Sequence, residues 1–185
     1  LEKPAFLAAQ DRALERLYGA LYGIPCVLGV VRRHTGDGKT LLNSCVLAHE
    51  GKAVAVGDKC LLPTYDVFDE DRYFEESRQP KTAVFKDTVL GLTVCEDCWN
   101  DKDFWRQRKY TFDPVEVLVR GGAQIIINVS ASPYSIGKQL IKELMLSALA
   151  KKHGRPLIYV NQVGGNDDLI FDGRALAFDA HGKLL

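Results

Sequence analysis

The chain has 185 residues, of which 46% are apolar and 26% are charged, with 24 basic and 24 acidic side chains. This length corresponds to roughly one domain, and a domain of this size can bury a core without disulfides or a structural metal. The formal charge of zero, the absence of a basic stripe and the absence of an apolar run near ~18 residues leave little support for a nucleic-acid or membrane-spanning role.

The chain is predicted to begin with a helix and a buried strand. Apolar residues recur at helical spacing over residues 5–22, and Gly23 and Pro25 are expected to end this helix. The continuous apolar run at 24–31 is typical of a strand that is buried on both faces.

Two hairpins and a long loop follow. Residues 41–59 form two apolar runs around Gly51, which predicts a hairpin, and residues 82–96 predict a second one. Between them, residues 61–80 show no regular period but carry four aromatic side chains. This stretch predicts an ordered loop, and loops of such length in compact domains are usually functional or disordered.

The second half of the chain alternates helices and strands. Asp113 followed by proline predicts the start of a short helix, and residues 123–130 predict a buried strand. A helix is predicted over 135–153, and its buried face is expected to contain Ile136, Leu140, Ile141, Leu144 and Ala148.

The last predicted elements are a strand at 156–162, a loop at 164–173 and a strand at 174–180. Helices that alternate with buried strands indicate a layered α/β fold. We expect residues 1–185 to form a single, partial domain that is cut at both ends, because the chain opens on a helix without a preceding strand and stops as a strand begins.

The segment "GLTVCEDCWN" contains a C-x-x-C formed by Cys95 and Cys98. A zinc site needs about four ligands, and neither a second pair nor a well-placed histidine is present, so no metal is expected. Glu96 and Asp97 would raise a thiol pKa, which disfavours a thioredoxin-like pair. Two incidental thiols are the plainest alternative, and five cysteines, an odd number, at scattered spacings indicate a reducing, cytoplasmic compartment.

Three polar residues follow predicted strands and could share one pocket rim, which is where open α/β sheets place ligands. They are Lys59, Cys95 and Ser132. Taken singly, Lys59 could be a solvated hairpin residue and Ser132 a turn residue. No histidine is placed to activate Cys95. The remaining arrangement is a cysteine nucleophile with a carboxylate as its base. A lysine ammonium would lower the thiol pKa and stabilise the negative charge that develops during the reaction.

Four segments carry a family resemblance that covers essentially the whole chain. They are "KCLLPTYDVFDEDRYF", "TVCEDCW", "NVSASPYSIGK" and "YVNQVGGNDDLIFDG". In this order they resemble the nitrilase, or carbon–nitrogen hydrolase, superfamily, and most closely the glutaminase domain of glutamine-dependent NAD synthetases. The resemblance implies a four-layer α-β-β-α sandwich, here truncated at the N-terminus and the C-terminus.

The resemblance also implies roles for individual residues. Cys95 matches the nucleophile, Lys59 the lysine of the catalytic triad and Glu70 a glutamate that supports this lysine, and the backbone N–H of Glu96 would complete the oxyanion hole. The positions that match the glutamine pocket are Tyr65, Phe68, Trp99, Ser132 and Lys138. The alternatives are core packing for Phe68 and Trp99 and surface exposure for Glu70.

The chain departs from the family pattern at two points. The triad glutamate of the family lies upstream of the first residue of this chain, and no residue here matches its motif. The family also often has a serine where Ala175 stands, which puts one local hydrogen bond in doubt.

The function implied by the resemblance is glutamine amide hydrolysis through a cysteine thioester, with ammonia supplied to a synthetase domain that makes NAD⁺ from deamido-NAD⁺. That domain is absent here, and ATP and Mg²⁺ are expected only there; no cofactor is expected in this one. A homo-oligomer is expected, without nucleic acid or membrane. The alternatives are another amidase or carbamoylase of the superfamily, an inactive fragment retained for binding, and a C-x-x-C metal or redox module.

Overall fold

The computed structural model describes residues 3–185. The helices are α1 (Pro4–Ala20), α2 (Pro114–Arg120) and α3 (Lys138–His153), with 3₁₀ turns at Glu70–Arg72 and Cys95–Cys98. The strands are β1 (Cys26–Arg33), β2 (Leu41–His49), β3 (Lys52–Asp58), β4 (Ala83–Phe85), β5 (Thr88–Val94), β6 (Ile125–Ser130), β7 (Leu157–Asn161), β8 (Val163–Asn166), β9 (Leu169–Asp172) and β10 (Leu176–Phe178).

The strands form two main sheets. Strands β1, β2 and β3 make an antiparallel sheet in chain order, and the second sheet has the order β10-β7-β6-β5-β4. In the second sheet β5, β6 and β7 run parallel, while β4 and β10 pair antiparallel at its edges. Strands β8 and β9 form a separate hairpin. The ends of β5, β6 and β7 therefore point to the same edge, where ligands bind in open parallel sheets.

Three apolar clusters show how these elements are layered. One cluster, with Leu146 and Tyr159, lies between helices α2 and α3 and the five-stranded sheet. A second, with Cys45 and Leu92, lies between the two sheets. A third, with Leu7, lies between α1 and the three-stranded sheet. The order is thus helix, sheet, sheet, helices, which confirms the predicted α-β-β-α sandwich.

Local signals for turns and caps match the structure well. Glu50 and Gly51 have φ angles of +48° and +81° in the turn between β2 and β3, as two-residue hairpin loops require. The Asp113 side chain accepts the N–H of Glu116 and caps α2, which has proline at its first position and ends at Gly121.

Helix α3 turns a different face to the sheet from the one predicted, so that prediction was wrong. Ile136, Leu140, Ile141 and Leu144 are between 43% and 94% exposed. The face that packs on the sheet contains Lys142, Met145, Leu146, Leu149 and Ala150. The prediction of a loop at 164–173 was also wrong, because β8 and β9 lie there. Within residues 3–185, none of the helices has the length and apolarity that a bilayer crossing requires.

Candidate active site

Cys95 lies directly after β5 and begins a 3₁₀ turn. Its φ angle is +46°, a left-handed conformation that a residue with a side chain rarely adopts. Backbone strain of this kind is concentrated at functional sites, where the surrounding structure must hold it in place. Here Asn128 Nδ2 donates a hydrogen bond to the Cys95 carbonyl at 3.3 Å. Cys95 as a whole residue is 9% exposed.

Lys59 lies at the end of β3, in the other sheet, and is 1% exposed. Its Nζ donates to both carboxylate oxygens of Glu70, at 2.5 and 2.6 Å. Burial acts to lower the pKa of Lys59, but the charge of an ionised Cys95 thiolate and of the Glu70 carboxylate acts in the opposite direction, and the pKa lies above its ordinary value. Lys59 is therefore an ammonium at neutral pH. Glu70 is not a freely exposed surface acid, since its side chain is 20% exposed and paired.

The pKa of the Cys95 thiol is raised, because burial outweighs the Lys59 ammonium, and Glu70 and Glu96 add to the rise. The Lys59 ammonium thus lowers the thiol pKa, as expected, but by less than burial raises it. A thiol in this state needs a proton acceptor before it can attack a carbonyl carbon.

The two acids after Cys95 are both engaged. Glu96 Oε1 accepts the Tyr65 hydroxyl at 2.6 Å. Asp97 accepts backbone N–H groups from the end of β5 and from the segment after Lys59. Burial raises the pKa of Asp97 to about 6, although those N–H groups and Lys59 act in the opposite direction.

Cys95 lies between two cavities. One, of about 250 Å³, is bordered by every residue that the family resemblance assigns to the glutamine pocket: Tyr65, Phe68, Trp99, Ser132 and Lys138. The other, of about 530 Å³, is lined by Lys59 and Glu70 together with β1 and the ends of β5, β6 and β7. The predicted site residues thus come together around one cysteine.

The 250 Å³ cavity has a cationic side. Lys138 lies there with its Nζ donating to the Pro133 carbonyl at 3.2 Å and 5.6 Å from the Trp99 ring centre. Burial lowers the pKa of Lys138, and negative charge on Cys95 and Asp66 opposes this shift. The backbone of Ser132 is held on both sides by the Asn161 amide.

Sequence reasoning missed part of this cavity wall. The residues it did not identify are Asp66, Trp105, Gln107 and Lys109. Trp105 stacks on Trp99 with ring centres 6.1 Å apart, and Lys109 lies over the Tyr65 ring. The last three residues belong to the irregular segment 101–112, which has no periodic signal that would have placed them at the pocket.

The two cysteines of the C-x-x-C belong to different cores. Cys95 packs between the sheets, whereas Cys98 packs on the helix side and is 1% exposed. Cys98 Sγ contacts Thr93 Oγ1 and Asn128 Nδ2, at 3.5 and 3.2 Å. All five thiols are unpaired, and within residues 3–185 no cluster of three metal-ligating side chains occurs.

The fold is a four-layer α/β sandwich, and its site has a strained cysteine beside a lysine–glutamate pair. This combination is typical of cysteine-dependent hydrolases. A family model described as "Carbon-nitrogen hydrolase" matches residues 20–185. This chain therefore belongs to the carbon–nitrogen hydrolase family.

Curated relatives carry a more specific name. A protein of Synechocystis sp. named glutamine-dependent NAD(+) synthetase is 50% identical over 190 residues, which cover 100% of this chain and 34% of the relative. The relative of that name from Xylella fastidiosa is 34% identical over 186 residues and is covered to 32%. The chain thus spans about a third of the length of these relatives.

Solved structures support the fold. The glutamine-dependent NAD⁺ synthetase from Acinetobacter baumannii superposes with a TM-score of 0.84 at 31% identity, over 98% of this chain and 32% of that one. An amidase from Nesterenkonia sp., with an acetamide moiety attached at its active-site cysteine, superposes with a TM-score of 0.77 at 23% identity, over 97% of this chain and 63% of that one. At this identity the amidase is evidence for the fold alone.

Proposed function

We propose that this chain is the glutaminase part of a glutamine-dependent NAD⁺ synthetase. The observation that carries the proposal is the 250 Å³ cavity, which has the thiol of Cys95 on its wall together with the polar pair Ser132 and Lys138. A cation and a buried polar backbone can hold the α-amino acid end of glutamine. The side-chain amide can then reach the cysteine. The names of the relatives supply the remaining support.

The proposed reaction begins with attack of the Cys95 sulfur on the carboxamide carbon. A C–S bond forms, and the carbonyl oxygen becomes an oxyanion that the Lys59 ammonium and the N–H of Glu96 stabilise. The oxyanion then returns to a carbonyl as the C–N bond breaks, and the nitrogen takes up the proton that the base removed from the thiol and leaves as ammonia. Water adds to the thioester, the C–S bond breaks, and glutamate and the free thiol result.

The proton acceptor in this scheme comes from the family resemblance. Glu70 already holds Lys59, and Glu96 accepts the Tyr65 hydroxyl. We therefore assign the base to the family's triad glutamate, which no residue of this chain matches. In the complete protein, ammonia would pass to a synthetase domain that uses ATP and Mg²⁺, and we expect a homo-oligomer.

A comparison of amide substrates tests the proposal on the full-length protein. Ammonia release is measured with L-glutamine, L-asparagine, propionamide and an N-carbamoyl amino acid, in the wild type and in Cys95→Ala. We expect preference for glutamine and no turnover by the variant. Faster hydrolysis of propionamide or of the carbamoyl compound would instead indicate another amidase of the superfamily. Turnover by Cys95→Ala would refute the nucleophile.

A further inference from the structure

The acid two residues after the candidate nucleophile connects two separate segments of backbone. Asp97 is 2% exposed. Its Oδ1 accepts the N–H of Cys60 at 3.0 Å and of Leu61 at 2.9 Å, and its Oδ2 accepts the N–H of Val94 at 2.9 Å. Both oxygens of this buried carboxylate are therefore used by main-chain donors, and hydrogen bonds to an ionised acceptor are the strong ones.

These two segments carry the two groups of the proposed chemistry. Cys60 directly follows Lys59 at the end of β3, and Val94 directly precedes Cys95 at the end of β5. Strand β3 belongs to the three-stranded sheet and β5 to the five-stranded sheet. The ammonium and the thiol thus come from different layers of the sandwich.

Packing of the two sheets sets how closely they approach, and the position of single groups at this site needs directional contacts as well. Apolar packing between the sheets is non-directional. The backbone N–H of Lys59 donates to the Asn43 carbonyl at 2.8 Å, which ties the lysine to its own sheet. Asp97 instead binds Cys60 and Leu61, which precede it in the chain by 37 and 36 residues and lie just after the end of a strand in the other sheet.

We propose that Asp97 is a positioning residue, which fixes the separation of the Lys59 ammonium from the Cys95 sulfur through the backbone on both sides. The proposal rests on the thiol chemistry proposed above. A displacement of about 1 Å in a catalytic arrangement can cost about 10²-fold in rate. If Asp97 only stabilised the turn at 95–98, its bond to Val94 would be sufficient. The bonds to Cys60 and Leu61 would then have no purpose.

The substitution Asp97→Asn tests this role with almost no change in volume. An amide NH₂ cannot accept, so the variant loses either the bond to Val94 or the pair to Cys60 and Leu61. The readout is the rate of alkylation of Cys95 by iodoacetamide as a function of pH, in the full-length protein. The modified peptide is quantified by mass spectrometry, because Cys26 is also partly exposed.

We expect the alkylation rate at pH 7 to fall about tenfold and the thiol pKa in the rate profile to rise by about one unit, because a displaced ammonium stabilises the thiolate less. The sign of this shift is diagnostic. Loss of the negative charge of Asp97 alone would lower the thiol pKa and speed alkylation. For glutamine, kcat should fall while KM stays within about twofold, since the pocket is not altered.

Asp101→Asn is the matched control. Asp101 is also buried, at 4% exposure, and accepts the N–H groups of Asp103 and Phe104 as well as Lys152. Asp101→Asn removes the charge of a comparable buried carboxylate, and Asp101 makes no hydrogen bond to the segment after Lys59 or to the end of β5. The control should lower the melting temperature and leave the alkylation profile unchanged.

Three results would overturn the positioning role: an unchanged profile in Asp97→Asn, the same shift in both variants, or failure of Asp97→Asn alone to fold. The outcome for the proposed function is separate. A wild-type protein that releases no ammonia from glutamine, and whose Asp97→Asn variant still shows slower alkylation, would refute the glutaminase assignment and support the positioning role.

Discussion

The Lys59 ammonium and the Glu70 carboxylate form a pair whose two members differ in their access to water. Nζ lies 2.5 and 2.6 Å from the two carboxylate oxygens. The lysine side chain is 1% exposed and the glutamate side chain 20% exposed. Asn43 Nδ2 also donates to Glu70, at 3.1 Å. The pair therefore ties the segment 61–80, which carries Glu70, to the end of β3.

This asymmetry predicts unequal effects on stability. Glu70→Gln leaves a buried ammonium without its directly bonded carboxylate, and breaking a buried ion pair in this way typically costs about 3–5 kcal/mol. Lys59→Met leaves Glu70 partly hydrated and should cost less. Urea denaturation of the two variants measures the difference in the free energy of unfolding. A larger loss in Lys59→Met than in Glu70→Gln would contradict this interpretation.

A second prediction concerns how the pocket recognises its substrate. Lys138→Met should raise the KM for glutamine about 10- to 100-fold, because hydrogen bonds to charged groups contribute about 1.5–3 kcal/mol. Propionamide, which has no α-carboxylate, should be hydrolysed at an unchanged rate. Lys151→Met, on the exposed side of the same helix, is the control. Equal effects of Lys138→Met on both substrates would exclude a role in carboxylate binding.

Local patterns in the sequence predicted most elements but failed for the orientation of α3. That helix has apolar residues on more than one side, and a lysine, Lys142, lies on the side that is buried. Its Nζ is 3.9 Å from Asp172 Oδ1 and 5.7 Å from the Tyr159 ring centre. These partners come from β7 and β9, so the burial of Lys142 depends on tertiary contacts that helical periodicity does not contain.

The hairpin of β8 and β9 was missed for a different reason. Its turn has Asp167 at a φ of +50°, without the glycine that marks most two-residue turns. The meeting of Cys95 and Ser132 was predictable, because β5 and β6 pair in parallel with Val94 opposite Val129. The approach of Lys59 from the other sheet was not contained in local patterns and came from the family resemblance.

Asp97 also predicts how stability depends on pH. Its folded-state pKa is raised from 3.8 to about 6. Between these values the folded state binds more protons than the unfolded state, so this group's contribution to stability is fully present below pH 3.8 and is lost as pH rises through 6. The shift corresponds to roughly 3 kcal/mol.

The measurement is the free energy of unfolding of the wild type minus that of Asp97→Asn, from pH 4 to pH 8. This difference should fall as pH rises through 6. Taking the difference removes the opposing contribution of His153, whose pKa burial lowers. A difference that does not change with pH would show that Asp97 has an ordinary pKa.

The C-x-x-C predicts opposite outcomes for its two cysteines. Cys95→Ala should abolish glutamine turnover and leave the protein folded. Cys98→Ser retains a polar group that can meet Thr93 and Asn128, and kcat should stay within about threefold. Cys98→Ala removes one of the three acceptors of the Asn128 amide, and the other two are Thr93 Oγ1 and the Cys95 carbonyl. A Cys98→Ser variant without activity would give that thiol a role in the chemistry.

At Gly57 the two sheets approach each other closely, and this contact supports a final prediction. A Cβ at this position would lie 2.7 Å from both the Cβ and the carbonyl oxygen of Leu92 on β5, and neither atom can move without moving the strand. At Gly91 the nearest atom, also at 2.7 Å, is the terminal Cδ1 of Ile126, which can change its rotamer. Gly57→Ala should therefore cost about 1–3 kcal/mol from overpacking, and Gly91→Ala less.

Because β3 leads into Lys59 and β5 into Cys95, separating these strands should also impair catalysis. We expect Gly57→Ala to lower kcat for glutamine more than Gly91→Ala does, with KM little changed. The two free energies of unfolding and the two kinetic profiles form one matched comparison. If Gly91→Ala proved the more damaging substitution in both, contact between the sheets would not determine the catalytic geometry.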